Sequence, residues 1–234
     1  MLIETYILAH QEEKIIGYTM KHYTQFSKVI VFEGHSTDRT VEIAESWGAE
    51  VRKVDTNNES NELIFLDIKN NCWKGSKADW VIVCDTDEFV YCPNLIEILE
   101  TTDSTVFLPR LFNMFSEVFP TTEGQIYDEV KMGKEGGSKM NLFRPDQVEE
   151  INYDVGCHVS RPTGNIKLNL TSPILTLHMR NLSKQYLIEK CAYISGRLSQ
   201  VNKDNKWGYH VSFPPLKIIQ DFNNESTALL QIVP

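Results

Sequence analysis

Two rhythms of apolar positions alternate over the first hundred residues. Runs in which nearly every position is apolar, at 5–10 ("TYILAH"), 28–34 ("KVIVFEG") and 79–85 ("DWVIVCD"), read as buried strands rich in β-branched and aromatic side chains. Between them apolar residues recur at spacings of three and four. Residues 12–26 ("EEKIIGYTMKHYTQF"), 36–50 ("STDRTVEIAESWGAE") and 59–76 ("ESNELIFLDIKNNCWKGS") therefore predict helices. The second of these opens on capping residues, carries Val41, Ile43, Ala44 and Trp47 on one face, and stops at Gly48. "EVRKVD" (50–55) predicts a more exposed strand. Strand–helix–strand alternation of this kind predicts an α/β fold with a mostly parallel central sheet and helices on both faces.

The second half has a weaker rhythm. A strand is expected over 104–115, a Gly-rich charged loop over 123–139, and short strands with turns over 140–159. "SPILTLHMR" (172–180) reads as a strand. A helical stretch follows over 181–203, with Tyr186, Leu187, Tyr193, Ile194, Leu198 and Val201 at mostly helical spacing. No repeat, low-complexity tract or linker interrupts the chain, so residues 1–234 are taken as one domain of two halves, about 1–103 and about 104–234.

Parallel α/β sheets bind ligands at the carboxyl ends of their strands. Polar clusters lie at three such ends: "AHQEE" after the first strand, "EGHSTD" after the second and "DTDE" after the strand at 79–85. Asp85 and Asp87, at the mouth of a buried strand, cost desolvation unless a cation meets them. Hard oxygen ligands suit Mg2+ or Mn2+, which in turn bridge to phosphate. The plainer alternative is a pair of turn-capping aspartates. In "EGHSTD" the plain role is a capped helix, and the functional one places Glu33 beside the same crevice, as an acceptor for a base or ribose. Of six histidines, His158 and His178 could each complete a metal site, since imidazole suits Mn2+; His178, at the end of an apolar strand, is the first choice.

Charge and composition narrow the classes. A net charge of −9 disfavours a broad nucleic-acid surface. Five cysteines without a CxxC pair suggest a reducing compartment and no disulfide framework. No apolar run approaches the roughly 18 residues of a membrane span. The N-terminus lacks the basic start of a signal peptide, and the expected location is the cytoplasm.

With these residues in hand, a resemblance emerges. "VIVFEGHSTDRTVEIAESWGAEV" resembles the signature of family 2 glycosyltransferases, an acidic-x-x-Ser-x-Asp-x-Thr run before a helix. "DWVIVCDTDEF" resembles the family's strand and DxD metal motif. "KMNLFRPDQVEEINYDVGCHV" and "LHMRNLSKQYLIEK" are similar to the acceptor-side half of small members with the GT-A fold. The resemblance spans most of the chain and implies a Rossmann-like nucleotide-binding half joined to an acceptor-side half. It further implies metal-dependent sugar transfer, with inversion, from a nucleotide diphosphate sugar to a glycan, lipid-linked or protein acceptor.

The roles it implies are these. Asp85 and Asp87 hold Mn2+ or Mg2+ with His178, Asp85 alternatively meeting the ribose, and Glu12 and Glu33 hold the nucleoside. Lys139 and Arg180 neutralise the diphosphate. Asp154 is the first candidate for catalytic base, with Asp128 or Glu129 next. Glu33 stands where the family has Asp, and the family's Glu-Asp pair has no counterpart. Two other classes remain open: a phosphatase of the haloacid dehalogenase kind, and a nucleotide-sugar-binding module without activity.

Overall fold

The computed structural model describes residues 1–234. The first half runs β1 (Ile3–Ala9), α1 (Ile16–Tyr23), β2 (Lys28–Glu33), α2 (Thr40–Ser46), β3 (Glu50–Lys53), α3 (Glu62–Asn71), β4 (Trp80–Asp85), β5 (Glu88–Tyr91) and α4 (Leu95–Thr101). Then follow β6 (Val106–Phe107), β7 (Arg110–Phe115), α5 (Ile126–Glu129), β8 (Met132–Ser138), β9 (Leu142–Phe143), β10 (Val148–Glu150), β11 (Thr163–Gly164) and β12 (Leu168–Asn169). The chain closes with β13 (Leu175–Asn181), α6 (Lys184–Ser195), α7 (Gln200–Asn205), a 3-10 turn at Tyr209–Ser212, α8 (Pro215–Glu225) and β14 (Leu230–Gln231).

The expected α/β layering is present. Seven strands form the central sheet in the order β12-β6-β9-β4-β1-β2-β3. β4, β1, β2 and β3 are parallel, and β9 inserts antiparallel between β4 and β6. Alternating side chains load both faces, as strand geometry requires. Ile7, Val29, Val31, Trp80, Ile82 and Cys84 pack with Met20 and Tyr23 of α1 on one face. Tyr6, Ile30, Val81 and Val83 pack with Trp73 and Phe143 on the other. Full burial of each large apolar side chain stabilises by about 1.5–3 kcal/mol, which is why the three apolar runs of β1, β2 and β4 define the middle of the sheet.

A second sheet, ordered β14-β8-β7-β13-β5, was not expected. β4 passes through Asp85, Thr86 and Asp87 directly into β5, so the acidic run is the hinge between the two sheets. The strand expected over 104–115 divides at Leu108 and Pro109, sending β6 to the first sheet and β7 to the second. Proline has no N–H for the ladder, which suits it to this crossing point. The Gly-rich stretch expected as a loop is largely strand: β8 pairs antiparallel with β7 from Ser138 opposite Arg110 to Met132 opposite Phe115. Two of its three glycines are there for closeness. A Cβ on Gly136 would lie 2.7 Å from Asn113 Nδ2, and one on Gly133 2.8 Å from Met114 Sδ.

The helix expected over 181–203 is two helices. Gly196 ends α6, and Ser199 caps α7 by accepting from Asn202 N. Between them the chain pairs with the loop after β3, Ser60 N donating to Arg197 O at 2.7 Å and Ser199 N to Ser60 O at 3.0 Å. This pairing draws the C-terminal segment across the carboxyl ends of the parallel strands. No helix is long and apolar enough to cross a membrane.

Candidate active site

The strand ends after β1, β2, β3 and β4, the start of α3 and the C-terminal segment enclose a crevice of about 330 Å³. Its floor is a buried ionic lattice. Asp85 Oδ1 lies 2.6 Å from Lys69 Nζ and Asp85 Oδ2 3.3 Å from Lys139 Nζ. Lys139 also meets Glu88 Oε1 at 2.5 Å, and the Lys139 and Glu88 side chains are only 4% and 2% exposed. Glu88 Oε2 accepts from Asp85 N at 3.2 Å, closing the lattice on the turn itself. Burial alone would push the Asp85 carboxyl up, but Lys69 and then Lys139 outweigh it and hold it below the usual range.

Asp87 faces another direction. Its Oδ2 lies 3.1 Å from Lys190 Nζ and 3.6 Å from His178 Nε2. Its backbone carbonyl accepts from Met179 N at 2.7 Å, which fixes the turn against β13. His178 Nδ1 is 3.0 Å from Asn113 Oδ1. With the proton on that nitrogen, the Nε2 lone pair is turned toward Asp87. Burial opposes ionisation of Asp87, yet Lys190 outweighs it and holds its carboxyl well below the ordinary value. Glu12 joins this side, with Oε1 3.0 Å from Lys190 Nζ. Burial lifts Glu12, Lys190 pulls it down, the nearby Asp87 lifts it again, and its pKa stands at about 7.

The loop after β1 is held open by the loop after β2. Gln11 N donates to Ser36 Oγ at 2.9 Å, Glu12 N to Thr40 Oγ1 at 2.7 Å and Glu13 N to Asp38 Oδ2 at 3.1 Å. Ser36, Asp38 and Thr40 thus shape the loop that presents Glu12. Glu33 is buried; one carboxylate oxygen accepts from Ser36 N while Oε2 has no partner. His10, pinned between Gly34 O at 2.6 Å and Tyr193 OH at 2.7 Å, ties the crevice wall to α6.

The sequence-derived candidates divide accordingly. Asp85, Asp87, His178 and Glu12 all line one crevice, but Asp85 pairs with lysines while Asp87 and His178 face each other. No three His, Cys, Asp or Glu side chains form a ready-made cation cage. Lys139 was expected on the diphosphate; instead it is buried beneath the floor, because Glu88 and Asp85 hold it there. Arg180 lies outside the crevice lining, close enough to Cys191 and His210 for its charge to bear on both.

The proposed bases do not reach the crevice. Asp154 is exposed and paired with Arg161 at 2.9 Å. Asp128 spends its carboxylate in the capping box of α5, accepting from Gln125 N at 2.7 Å, and Glu129 accepts from Thr121 N at 3.2 Å. His158 is exposed and does not line the crevice.

Lys69, Lys190 and Glu62 belong to the crevice and were not singled out from the sequence. A signal existed for the lysines. Lys69 stands four positions after Phe65 and three after Leu66, and Lys190 four after Tyr186 and three after Leu187. Each is a charge on the inward face of its helix, a costly place without an acid opposite. Glu62 opens α3 and forms no ion pair; burial raises its pKa, with Lys69 opposing.

No family model and no curated protein matches this chain. Solved structures do. The glucosyl-3-phosphoglycerate synthase of Mycobacterium tuberculosis in complex with Mn2+, UDP and glucosyl-3-phosphoglycerate is 19% identical, over 48% of this chain and 44% of that one, with a TM-score of 0.35. The same enzyme with Mn2+, UDP and phosphoglyceric acid is 20% identical over 48% and 43%, with a TM-score of 0.36. With Mg2+ and UDP it is 19% identical over 48% and 43%, with a TM-score of 0.36. The match thus spans less than half the length of these structures.

Proposed function

We propose that the crevice binds a nucleotide diphosphate sugar together with Mn2+ or Mg2+ and transfers the sugar to a hydroxyl acceptor. One observation carries this reading: the DxD turn at the junction of two sheets, His178 from β13 and Lys190 from α6 converge on a single crevice at the parallel strand ends. That is where α/β sheets bind nucleotides. The resemblance of the two halves to family 2 glycosyltransferases supports the same assignment.

The donor set suits a hard divalent cation. Asp87 Oδ2 and His178 Nε2 are 3.6 Å apart, too far for a hydrogen bond, with the imidazole oriented by Asn113. Asp87 and His178 would hold the cation, with Glu12 within reach of the same ammonium. When bound, such an ion offsets charge on the leaving diphosphate as the glycosidic bond breaks.

The chain's own groups supply the rest. Lys69 and Lys139 keep Asp85 ionised and fixed, so the turn presents Asp87 without reorganisation. Glu33, expected on the nucleoside, is 1% exposed and outside the crevice lining, where its carboxylate holds the Ser36 turn instead. Glu62 offers the crevice a carboxylate free of any ammonium, suited to a sugar or ribose hydroxyl. The bulk of the donor is enclosed by α6 and α7, which exclude water that would otherwise compete with the acceptor.

A dehalogenase-type phosphatase needs the first Asp of the motif as a free nucleophile. Here both oxygens of Asp85 are engaged by lysines, which argues against that chemistry. The test is donor hydrolysis. Purified protein is incubated with UDP- and GDP-sugars and Mn2+, and nucleotide release is followed. Release from one donor, dependent on the metal and lost in Asp87→Asn, supports a transferase. Metal-dependent binding without release identifies a binding module, and phosphate release from simple monoesters would point to the phosphatase.

A further inference from the structure

Lys190 occupies an unusual place for a lysine. Its ammonium has three N–H donors and meets three groups: the Glu12 carboxylate (Oε1 at 3.0 Å, Oε2 at 3.4 Å), Asp87 Oδ2 at 3.1 Å and Tyr186 OH at 3.5 Å. It thus stands against the very oxygen of Asp87 that faces His178 Nε2.

The charges on the two sides of the DxD turn are unequal. On the Asp85 side, two ammonium groups, Lys69 and Lys139, face two carboxylates, Asp85 and Glu88. On the Asp87 side, one ammonium is shared between two acid groups, Glu12 and Asp87, at the place where a divalent ion would be received.

The two sides also differ in freedom. Lys139 is 4% exposed and sealed beneath the floor, whereas Lys190 is 21% exposed and lines the crevice. Asp87 is anchored through its backbone carbonyl to Met179 N at 2.7 Å. Lys190 hangs on a flexible four-carbon stem. Of the two partners, the lysine is the one able to move.

We propose that Lys190 is an internal counter-cation: it holds Asp87 and Glu12 together until a divalent ion arrives, then passes to the donor's diphosphate. The inference rests on the donor-binding reading above and adds an exchange within it. A tethered single charge yields to a double charge at Asp87, and the displaced ammonium faces an anion that enters by the same crevice. Lys190 is then a positioning residue with opposite effects on the two ligands. It weakens the binding of the metal alone and strengthens that of the nucleotide once the metal is bound.

The experiment uses Mn2+ alone, followed by loss of the free-ion electron paramagnetic resonance signal. UDP and GDP are then titrated calorimetrically at saturating Mn2+. Wild type, Lys190→Met, Lys190→Gln and Asp87→Asn are compared, the Gln variant serving should Met impair folding. Removing Lys190 is expected to tighten Mn2+ alone by about tenfold and to weaken the nucleotide by about tenfold, the scale of one hydrogen bond to a charged group. A lysine of merely structural importance would not move the two affinities in opposite directions. Mn2+ binding that is lost in Asp87→Asn but unchanged or weaker without Lys190 overturns the inference and leaves the donor reading standing. Unchanged nucleotide affinity overturns it equally. Absence of Mn2+ binding in every protein, with either nucleotide present, overturns both.

Discussion

Replacing Lys139 by Met separates a structural ammonium from a ligand-binding one. Met fills much of the same volume but removes the charge. The Lys139–Glu88 contact of 2.5 Å is inaccessible to water on both sides, so Glu88 would be left as a buried, unpaired carboxylate. Breaking a buried pair in this way costs about 3–5 kcal/mol. For a chain of this size each kcal/mol moves the melting temperature by about 2–4 °C, so the fall should be about 6–20 °C. Adding Glu88→Gln removes the orphan charge yet keeps an acceptor for Asp85 N. The double variant should therefore recover part of the loss, with a coupling energy of about 2 kcal/mol. Urea unfolding read by fluorescence suits the problem, because Trp73 and Trp80 are buried in the two faces of the central sheet. A Lys139→Met protein of unchanged stability that has lost only donor affinity would refute the reasoning and return Lys139 to the diphosphate.

Other consequences follow from the same geometry. His22 is buried among Tyr23, Phe26 and Phe89, which pushes its pKa down to about 4. The unfolded chain binds that proton near pH 6.5, so this stabilisation is complete above 6.5 and is lost as pH falls toward 4. Between pH 8 and pH 5 it amounts to about 2 kcal/mol, and a His22→Gln variant should lose that part of the slope in urea titrations across this range. Gly136→Ala forces a Cβ against Asn113 and Leu111 and should destabilise by about 1–3 kcal/mol. Because Asn113 orients His178, the same substitution should also weaken Mn2+ affinity in a direct titration; stability lost with metal affinity intact would deny that orienting role.

Much of the fold was legible because three apolar runs can do little else than form the inner strands of a parallel sheet. The three polar clusters at their ends were legible for the same reason, since strand direction dictates that they share one rim. The second sheet was not. β8 depends on Gly133 and Gly136 for close approach to β7, and glycine in a sequence reads as a turn. The split of α6 from α7 was hidden too, because it is imposed by pairing between Ser60 and the chain around Leu198, residues remote in sequence. At the site, Asp154 and Asp128 are carboxylates whose partners, Arg161 and the α5 cap, are local. Sequence position alone did not distinguish them from groups aimed at a ligand. Lys69 and Lys190 showed the reverse: charges on inward helix faces were visible in the spacing, and their acids lay on distant strands and loops.

The most direct test of the proposed donor site is a thermal-shift screen of nucleotide diphosphate sugars with and without Mn2+, on wild type and Asp87→Asn. A ligand at about one hundred times its dissociation constant stabilises the native state by about 2.7 kcal/mol. For a chain of this length that is a rise of about 5–11 °C. The expected result is such a rise with one donor, present only with Mn2+ and absent in a folded Asp87→Asn protein. A shift that ignores the metal or survives the substitution, or no shift with any donor on folded wild type, would contradict a metal-dependent nucleotide-sugar site at the DxD turn.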